Sequence, residues 1–466
     1  MTTTDLLPAA RPMTCFKAYD IRGRLGVDLD EGVAFRVARA FAQVLGARRV
    51  VLGRDPRASS EALSNAVARG LVASGVEVID LDLCGTEEVY FGTEHFAADG
   101  GICVTASHNP MDYNGMKLVK TGAAPLDPDT EFAQVKTLAE AGRFDPQQPG
   151  GSHDVGRAAE CRTAYVDRVL SFIDVTALNP MRIVVNAGNG AAGPSFDKIA
   201  EALGRAGAPL HFIRHNHQPD GRFPNGIPNP LLPENQPQTA EVVRAHHADL
   251  GIAWDGDFDR CFLFDHDGRF VPGEFVVGLL AESFLTKDPT DPIVHDPRVV
   301  WNTRDLIGAA GGQAVMARTG HAFMKQVMRQ SGAVYGGEMS AHHYFRDFMA
   351  CDSGMIPWLL VVELLSRKKV SLADLIRDRR ARFPSSGEIN FRVADAGASV
   401  AKVEAGYADQ AVARDDTDGM SLDFGAWRLN LRRSNTEPLL RLNIETRGDA
   451  DLLDQKVAEL TKILSD

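Results

Sequence analysis

The stretch Gly101-Ile-Cys-Val104-Thr-Ala-Ser107-His-Asn-Pro110 is an apolar run that stops at an Asn-Pro turn. A residue before proline is pushed out of helical geometry. The run therefore reads as a buried strand, and Ser107 as a turn residue at the sheet edge with an exposed hydroxyl. Working outward, strand patterns alternate with helical ones. Arg49-Val-Val-Leu52 is a buried strand followed by the turn Gly53-Arg-Asp-Pro-Arg57, and Glu77-Val-Ile-Asp-Leu81 is the next strand. Ala34 to Leu45 and Ser60 to Ala73 read as helices, the second opened by a Ser-Ser cap with Glu61 in its first turn. This alternation predicts a mixed or parallel sheet covered on both faces, with ligands gathering at the loops beyond the strand ends.

The order recurs downstream. A helix through Tyr165 to Ile173, the strand Arg182-Ile-Val-Val185 and the loop Asn186-Ala-Gly-Asn-Gly190 make a second unit. Helix Glu274 to Leu285, strand Pro292-Ile-Val-His295 and Asp296-Pro-Arg298 make a third. Residues 145–156 (DPQQPGGSHDVG) and 384–388 (PSSGE) read as linkers. Beyond the second lie strands Trp427 to Leu431 and Leu440 to Ile444 and a terminal helix from Asp449 to Leu464, with the Arg432 to Pro438 loop placed to close a cleft like a lid. A chain of 466 residues exceeds one hydrophobic core. The expected division is 1–156, 157–268 and 269–383 as three similar α/β domains, and 384–466 as a smaller α+β domain, around a central cleft.

A formal net charge of -12 argues against a nucleic-acid or anionic-membrane partner, since both want a basic face. The six cysteines lie far apart with no Cys-x-x-Cys pair, so buried, reduced thiols are expected rather than a zinc site or disulfide framework. The start MTTTDLLPAARP lacks the basic and apolar segments of a signal peptide, and the longest apolar runs, Phe275 to Leu280 and Met355 to Val362, are too short to span a bilayer. A cytoplasmic protein is the expectation.

Asp255-Gly-Asp257-Phe-Asp259-Arg260 follows the strand Leu250-Gly-Ile-Ala-Trp254, so three carboxylates protrude from one tight loop. Packed so closely they repel unless a cation neutralises them, and all-oxygen ligands suit magnesium. An EF-hand is excluded, because Arg260 takes its required glycine position and His266 its glutamate position. A haloacid-dehalogenase phosphatase with Asp255 as nucleophile and Asp257 as acid/base is a rival, which Asp259 two places on disfavours. A metal beside Ser107 makes sense if the serine carries phosphate. A Ser-His-Asp hydrolase lacks its Gly-x-Ser-x-Gly elbow, and His108 in an extended segment would point away from Ser107. Phe16-Lys-Ala-Tyr-Asp-Ile-Arg-Gly23 contributes Tyr19 and Arg22 as ligand groups. Arg432-Arg-Ser434-Asn435-Thr436 suits a phosphate dianion. Glu338 and Ser340 of Gly336-Gly-Glu-Met-Ser-Ala-His-His343 suit sugar hydroxyls, and Lys117 and His321 can exchange protons.

Taken together, FKAYDIRG, TASHNPMDYNGMK, DGDFDR, TGHAF, GEMSAHH and RRSNTEP, in that order from residue 16 to residue 438, resemble the α-D-phosphohexomutase superfamily and most closely its bacterial phosphomannomutase branch. The resemblance implies three similar α/β domains with mixed sheets between helices, a fourth of α+β type, and one central site. It implies Ser107 as the phosphoserine, with Asp255, Asp257 and Asp259 as Mg2+ ligands beside it. Arg22, Lys117, Arg260 and His321 would surround the reacting phosphoryl group, with Lys117 and His321 handling protons. Glu338 and Ser340 would hold sugar hydroxyls, with His342 adding a contact, and Arg432, Ser434, Asn435 and Thr436 would grip the non-transferred phosphate.

The implied partners are hexose phosphates, with a hexose 1,6-bisphosphate as intermediate and activator, in a monomer or homodimer that feeds GDP-mannose and polysaccharide synthesis. Some relatives carry a phosphate-binding lysine at the position aligned with Trp301, for which Arg304 or Lys325 would compensate. Mannose and glucose differ at C2, which a Glu-Ser pair on O3 and O4 does not read, so glucose phosphates stay open as substrates. Gly-Glu-Met-Ser sets the chain apart from phosphoglucosamine mutases, which carry Gly-Glu-Gln-Ser. A sugar-phosphate sensor would need neither the carrier serine nor its metal.

Overall fold

The computed structural model describes residues 12–433 and 439–465. They pack as two units: residues up to Gly268 with Asp347–Arg367, and Arg269–Arg346 with the chain from Lys368 onward.

The first unit starts with β1 (Ile21–Arg24), α1 (Glu31–Leu45), β2 (Arg49–Arg54), α2 (Ser60–Ala73), β3 (Glu77–Leu83), α3 (Thr86–His95), β4 (Gly100–Val104), β5 (Tyr113–Lys120), β6 (Ala124–Pro125), α4 (Glu131–Ala141) and β7 (Ser152–Asp154). Their sheet runs β1-β5-β4-β2-β3-β7, with β6 on β5. A second sheet follows from α5 (Ala158–Leu170), β8 (Met181–Asn186), α6 (Ala192–Arg205), β9 (Leu210–His215), α7 (Pro237–Ala245), β10 (Leu250–Trp254) and β11 (Cys261–Phe264). Over these strands its order is β11-β10-β8-β9. Every residue of β4 and of β10 is buried, as expected of central strands covered on both faces, which is why both read as unbroken apolar runs. Helix α1 is punctuated at both ends. The Asp30 carboxylate accepts from Val33 N at 2.7 Å, and Gly46 turns left-handed at φ 58°.

The second unit opens with β12 (Phe270–Val271), α8 (Gly273–Leu285), β13 (Pro292–His295), α9 (Trp301–Ala309), β14 (Gln313–Met316), α10 (His321–Ser331), β15 (Tyr335–Gly337) and β16 (His343–Phe345). Over its strands β13 to β16 the third sheet runs β14-β13-β15-β16. The next elements, β17 (Cys351–Asp352) and α11 (Met355–Lys368) as far as Arg367, belong to the first unit. The chain then adds α12 (Leu372–Arg382), β18 (Ser385–Phe391), α13 (Ala396–Tyr407), β19 (Ala413–Asp415), β20 (Met420–Asp423), β21 (Trp427–Arg433), β22 (Leu440–Thr446) and α14 (Ala450–Ser465). These strands form an antiparallel sheet, β18-β22-β21-β20-β19, whose apolar face buries Leu429, Leu431, Leu442 and Ile444 with Leu453, Leu460 and Leu464 of α14.

A repeat that was faint in sequence is explicit in topology. The centres β3-β2-β4-β5, β9-β8-β10-β11 and β14-β13-β15-β16 share one order, three parallel strands and an antiparallel fourth. The turn from third to fourth strand therefore falls at the same place in each. It carries Ser107 in the first, Asp255 to Arg260 in the second, and Glu338 to His342 in the third.

Three local expectations need correction. Ser59 caps α2 with no side-chain bond: its oxygen accepts from Asn114 Nδ2 at 2.8 Å, while Ser60 Oγ donates to Asp55 at 2.6 Å. Residues 384–388 are not a linker, since β18 begins at Ser385 and pairs with β22 across a register shift before Glu388. Ser152–Asp154 likewise leaves its Gly- and Pro-rich surroundings to pair with β3. All six cysteines are buried thiols. Among the described residues, no helix is long and apolar enough to cross a membrane.

Candidate active site

Ser107 leaves the C-terminal end of β4, an interior strand, in the left-handed region at φ 48°. A non-glycine residue persists there only when its surroundings over-determine it. Arg57 supplies much of that constraint. Its guanidinium donates to the carbonyls of Ser107 (3.0 Å), Asn109 (2.5 Å), Pro110 (2.9 Å) and Tyr113 (3.3 Å). Asp55 accepts from Ala106 N at 3.2 Å, and Arg22 Nη1 donates to the Thr105 carbonyl at 2.8 Å. The Ser107 hydroxyl is consequently buried, not exposed, and donates to Asp255 Oδ2 at 2.6 Å. His108 does not point away either. Its Nδ1 lies 3.0 Å from Ser107 Oγ and accepts from Arg260 Nη2. His108 is exposed as a residue, but loss of water around its ring on the Ser107 side, with the Arg260 charge, pushes its pKa well below the ordinary imidazole value and leaves Nδ1 a neutral acceptor.

The acidic loop reaches the serine because Gly256 has no side chain, as a Cβ there would lie 2.5 Å from the Ser107 carbonyl oxygen. Phe258, at φ 45°, is a second left-handed residue in this turn. Asp255, Asp257 and Asp259 are buried and offer oxygens within 4.8 Å of one another. Asp257 Oδ2 accepts from Thr86 Oγ1 (2.7 Å), Thr105 Oγ1 (3.2 Å) and Lys117 Nζ (2.9 Å). Lys117 also pairs with Asp259, and Arg260 grips Asp255 Oδ2 at 2.6 and 3.0 Å. Three carboxylates thus face two cations. Burial pushes the Asp259 carboxyl well above the usual range, helped by the Asp257 charge, and burial likewise raises Asp255 against Arg260. Burial would raise Asp257 too, but Lys117 and the Thr86 hydroxyl outweigh it and hold Asp257 low. Lys117, despite burial, is held well above its ordinary value by Asp257 and Asp259 and is firmly an ammonium. Asp257 Oδ1 is buried and accepts no hydrogen bond among the described residues. An all-oxygen set of three crowded carboxylates, two of which are pushed toward holding protons when no cation is present, with such an oxygen among them, fits a hard divalent cation. It does not fit a phosphatase nucleophile, since Asp255 is engaged by Ser107 and Arg260.

In the second unit, Glu338 organises the third-sheet turn. Its Oε1 accepts from Gly320 N at 2.9 Å, directly before His321 opens α10, and its Oε2 accepts from Tyr344 OH at 2.6 Å. Ala341, at φ 70°, is the left-handed residue of this turn. Ser340 Oγ lies 3.1 Å from His342 Nδ1 and 3.3 Å from Arg298 Nη2. Burial raises the Glu338 pKa against the pull of Arg298. On β21, Arg432 donates to Glu388 Oε2 at 3.1 Å and stands 4.0 Å from Asp418, whose carboxylate accepts from Thr319 N at 3.2 Å.

The structure therefore gathers Ser107, Lys117, Arg22, Arg260, Asp255, Asp257 and Asp259 in one unit, and Glu338, Ser340, His342, the His321 turn and Arg432 in the other. Tyr19 is half-buried on the approach to β1. Ser434, Asn435 and Thr436 lie outside the described residues. Arg304 turns to His295 Nε2 (3.2 Å) and Met316, so the cation beside Ser340 and Glu338 is instead Arg298, whereas Lys325 is buried one turn beyond His321. Trp301 is occupied with the fourth sheet: its backbone N–H donates to Glu445 Oε2 at 3.0 Å and Arg447 stacks on its ring. Sequence reasoning passed over Asp55, Arg57, Thr86, Asp296, Arg298 and Glu388. A signal was present for four of them. Asp-Pro-Arg occurs after β2 of the first sheet and after β13 at the equivalent place in the third, and in each case the aspartate accepts from the backbone of the functional turn, Asp296 from Met339 N at 2.9 Å.

Family models match the chain in four consecutive stretches: phosphoglucomutase/phosphomannomutase alpha/beta/alpha domain I over residues 13–144, domain II over 163–268, domain III over 272–383 and the C-terminal domain over 388–463. A phosphomannomutase of Salmonella montevideo is 56% identical over 455 residues, 97% of this chain and 99% of the relative. A protein named phosphohexose mutases in Xanthomonas campestris pv. campestris is 55% identical over 452 residues, covering 97% and 99%. A crystal structure of a phosphoglucomutase/phosphomannomutase family protein from Burkholderia thailandensis superposes with a TM-score of 0.85 at 31% identity over 97% of each chain.

Proposed function

Because the chain belongs to the phosphoglucomutase/phosphomannomutase family, we propose that it is a phosphomannomutase, an isomerase interconverting mannose 6-phosphate and mannose 1-phosphate. The observation that carries the mechanism is the 2.6 Å hydrogen bond from Ser107 Oγ to Asp255, the first carboxylate of a buried acidic triplet. Ser107 is the phosphoryl carrier. Its O–P bond breaks as a new one forms to the free hydroxyl of the hexose phosphate, giving a hexose 1,6-bisphosphate. That intermediate turns end for end, and its other phosphate returns to Ser107. Magnesium held by Asp255, Asp257, Asp259 and an oxygen on Ser107 would supply positive charge to the phosphoryl oxygens.

Arg22 and Arg260, anchored on the Thr105 carbonyl and on Asp255, steady the charge that builds on the transferring group. Lys117 enters as an ammonium, so it donates a proton to the departing oxygen, and the hydroxyl proton passes to His321. Glu338 and Ser340, with His342, hold sugar hydroxyls. Arg432 with Ser434, Asn435 and Thr436 holds the phosphate that is not transferred, and Tyr19 lines the approach. The domain limits are 1–156, 157–268, 269–383 and 384–466. The enzyme works in the cytoplasm as a monomer or homodimer, supplying GDP-mannose and polysaccharide synthesis.

A reading as a mutase of both mannose and glucose phosphates is favoured by the relative named for phosphohexoses and by a Glu-Ser pair that leaves C2 unread. The test is a coupled assay of mannose 1-phosphate and glucose 1-phosphate with magnesium and a trace of sugar bisphosphate. A higher kcat/KM for mannose supports the first reading and equal values the second. No turnover of either sugar overturns both.

A further inference from the structure

Arg432 is not the only guanidinium on Glu388. Arg298 Nη1 lies 3.4 Å from the same Oε2, and Arg441 Nη1 lies 3.3 Å from Oε1. One carboxylate therefore serves three cations drawn from the third and fourth sheets. Arg298 and Arg432 are buried, with side chains 3% and 2% exposed, whereas Glu388 is 18% exposed. Arg441 is 19% exposed, so the carboxylate and Arg441 are the members of this cluster open to solvent, while Arg298 and Arg432 lie beneath them.

The surrounding charges sharpen the point. Arg298 is also paired with Asp296 at 2.6 Å and stands 3.7 Å from Glu338, and Asp418 faces Arg432. With Glu388 ionised, the acids of the cluster fully offset its guanidiniums, and a phosphate dianion gains little net attraction there. The three arginines outweigh burial and hold the Glu388 pKa below the ordinary carboxylate value, so the offset is in place at neutral pH. The register shift between Ser385 and Glu388 in β18 aims this side chain at Arg441 of the paired strand β22 and Arg432 of the next strand β21.

Resting on the phosphomutase reading above, we propose that Glu388 is the resident anion of the phosphate-gripping cations. It holds a position on Arg432 that a ligand phosphate must take, and by competing there it keeps phosphate binding weak enough for the ligand to let go and turn. Glu388 is a positioning residue, acting through Arg432 and Arg298 rather than on the reacting atoms. A reaction in which the same loop must grip two opposed poses needs such a release term, because tighter uniform binding lowers KM without raising kcat.

The test compares the full-length enzyme with Glu388→Gln and Glu388→Asp in turnover of mannose 1-phosphate, inhibition by inorganic phosphate and thermal unfolding. Removing the charge is expected to tighten inhibition by inorganic phosphate about five- to tenfold. KM falls with it and kcat falls as well, while Glu388→Asp stays within about threefold of wild type on all three. Glu388→Ala carries the same test should the glutamine variant fail to fold. Unchanged or weakened phosphate inhibition in the neutral variants overturns the role of Glu388 while leaving the mutase reading intact. Absence of turnover in the wild-type enzyme overturns the mutase reading itself.

Discussion

Arg57→Ala is the most exacting test of how Ser107 is held. The wild-type guanidinium satisfies four carbonyls of the 107–113 segment, pairs with Asp55 at 3.5 Å and lies over the Phe223 ring at 5.4 Å. Both Arg57 and Asp55 are buried, so truncation leaves acceptors without donors and a carboxylate without its cation. Hydrogen bonds to a charged group contribute about 1.5–3 kcal/mol each and do not add. Removing one partner of a buried pair costs about 3–5 kcal/mol, which is the better guide to the total. For a unit of this size that predicts an unfolding temperature lower by roughly 5–15 °C. Turnover should fall further than stability suggests. Without its anchor the Ser107 carbonyl can drift, and a displacement of about 1 Å at a reacting group costs about 10²-fold. Arg57→Lys, a point charge that reaches fewer carbonyls, should fall between the two. Adding Asp55→Asn to Arg57→Ala should recover part of the stability by removing the stranded charge, but none of the turnover. The measurements are thermal unfolding and kcat with mannose 1-phosphate. An Arg57→Ala enzyme that melts within about 2 °C of wild type and keeps its kcat would show that the left-handed serine needs no such brace.

Three further outcomes follow from the same geometry. Ser107→Ala should lose nearly all turnover and retain a cooperative unfolding transition near that of wild type, and an active Ser107→Ala enzyme would end the carrier role. Chelation should abolish activity, with recovery on adding Mg2+, and Asp257→Asn should prevent that recovery; turnover undiminished after exhaustive dialysis against chelator would contradict the metal assignment. Glu87 is buried behind Thr86, accepts from Tyr165 OH and from Gly354 N at 2.5 Å, and burial raises its pKa to about 8 from an ordinary 4.5. Between those values the folded protein keeps a proton that the unfolded chain has released, so Glu87 favours folding fully below about pH 4.5 and its contribution fades as pH rises toward 8. Unfolding temperatures from about pH 5 to about pH 9 should fall more steeply in wild type than in Glu87→Gln, by an amount worth a few kcal/mol, and parallel curves would refute this.

What could be read from the chain depended on the range of the interactions involved. Strands β4 and β10 were legible because central buried strands are unbroken apolar runs, and the acidic turn because its carboxylates recur at every second residue. The burial of Ser107 was not. It depends on a left-handed φ at a residue type that rarely adopts one, and on Asp255, 148 residues away. The same turn also brings His108 onto the serine, reversing an inference drawn from extended geometry. Thr86, 171 residues from the Asp257 that it supports, carries no local mark of that task. Nor does Glu388, because Pro-Ser-Ser-Gly-Glu has the composition of a linker while its bulged pairing with β22 makes it a strand. The two Asp-Pro-Arg segments show most clearly where sequence stops. In both, the aspartate accepts from its own arginine's backbone and from the functional turn, at Ala106 or Met339. Yet Arg57 directs its fork inward to four carbonyls, whereas Arg298 is clamped from behind by Arg428, which takes the Pro297 and Arg298 carbonyls at 2.6 and 3.0 Å, and turns its own fork to Ser340 and Glu388. Identical tripeptides at equivalent places thus do different work, one fixing a backbone and the other presenting charge, and the difference is made by the fourth sheet, which only the third possesses as a neighbour within its unit.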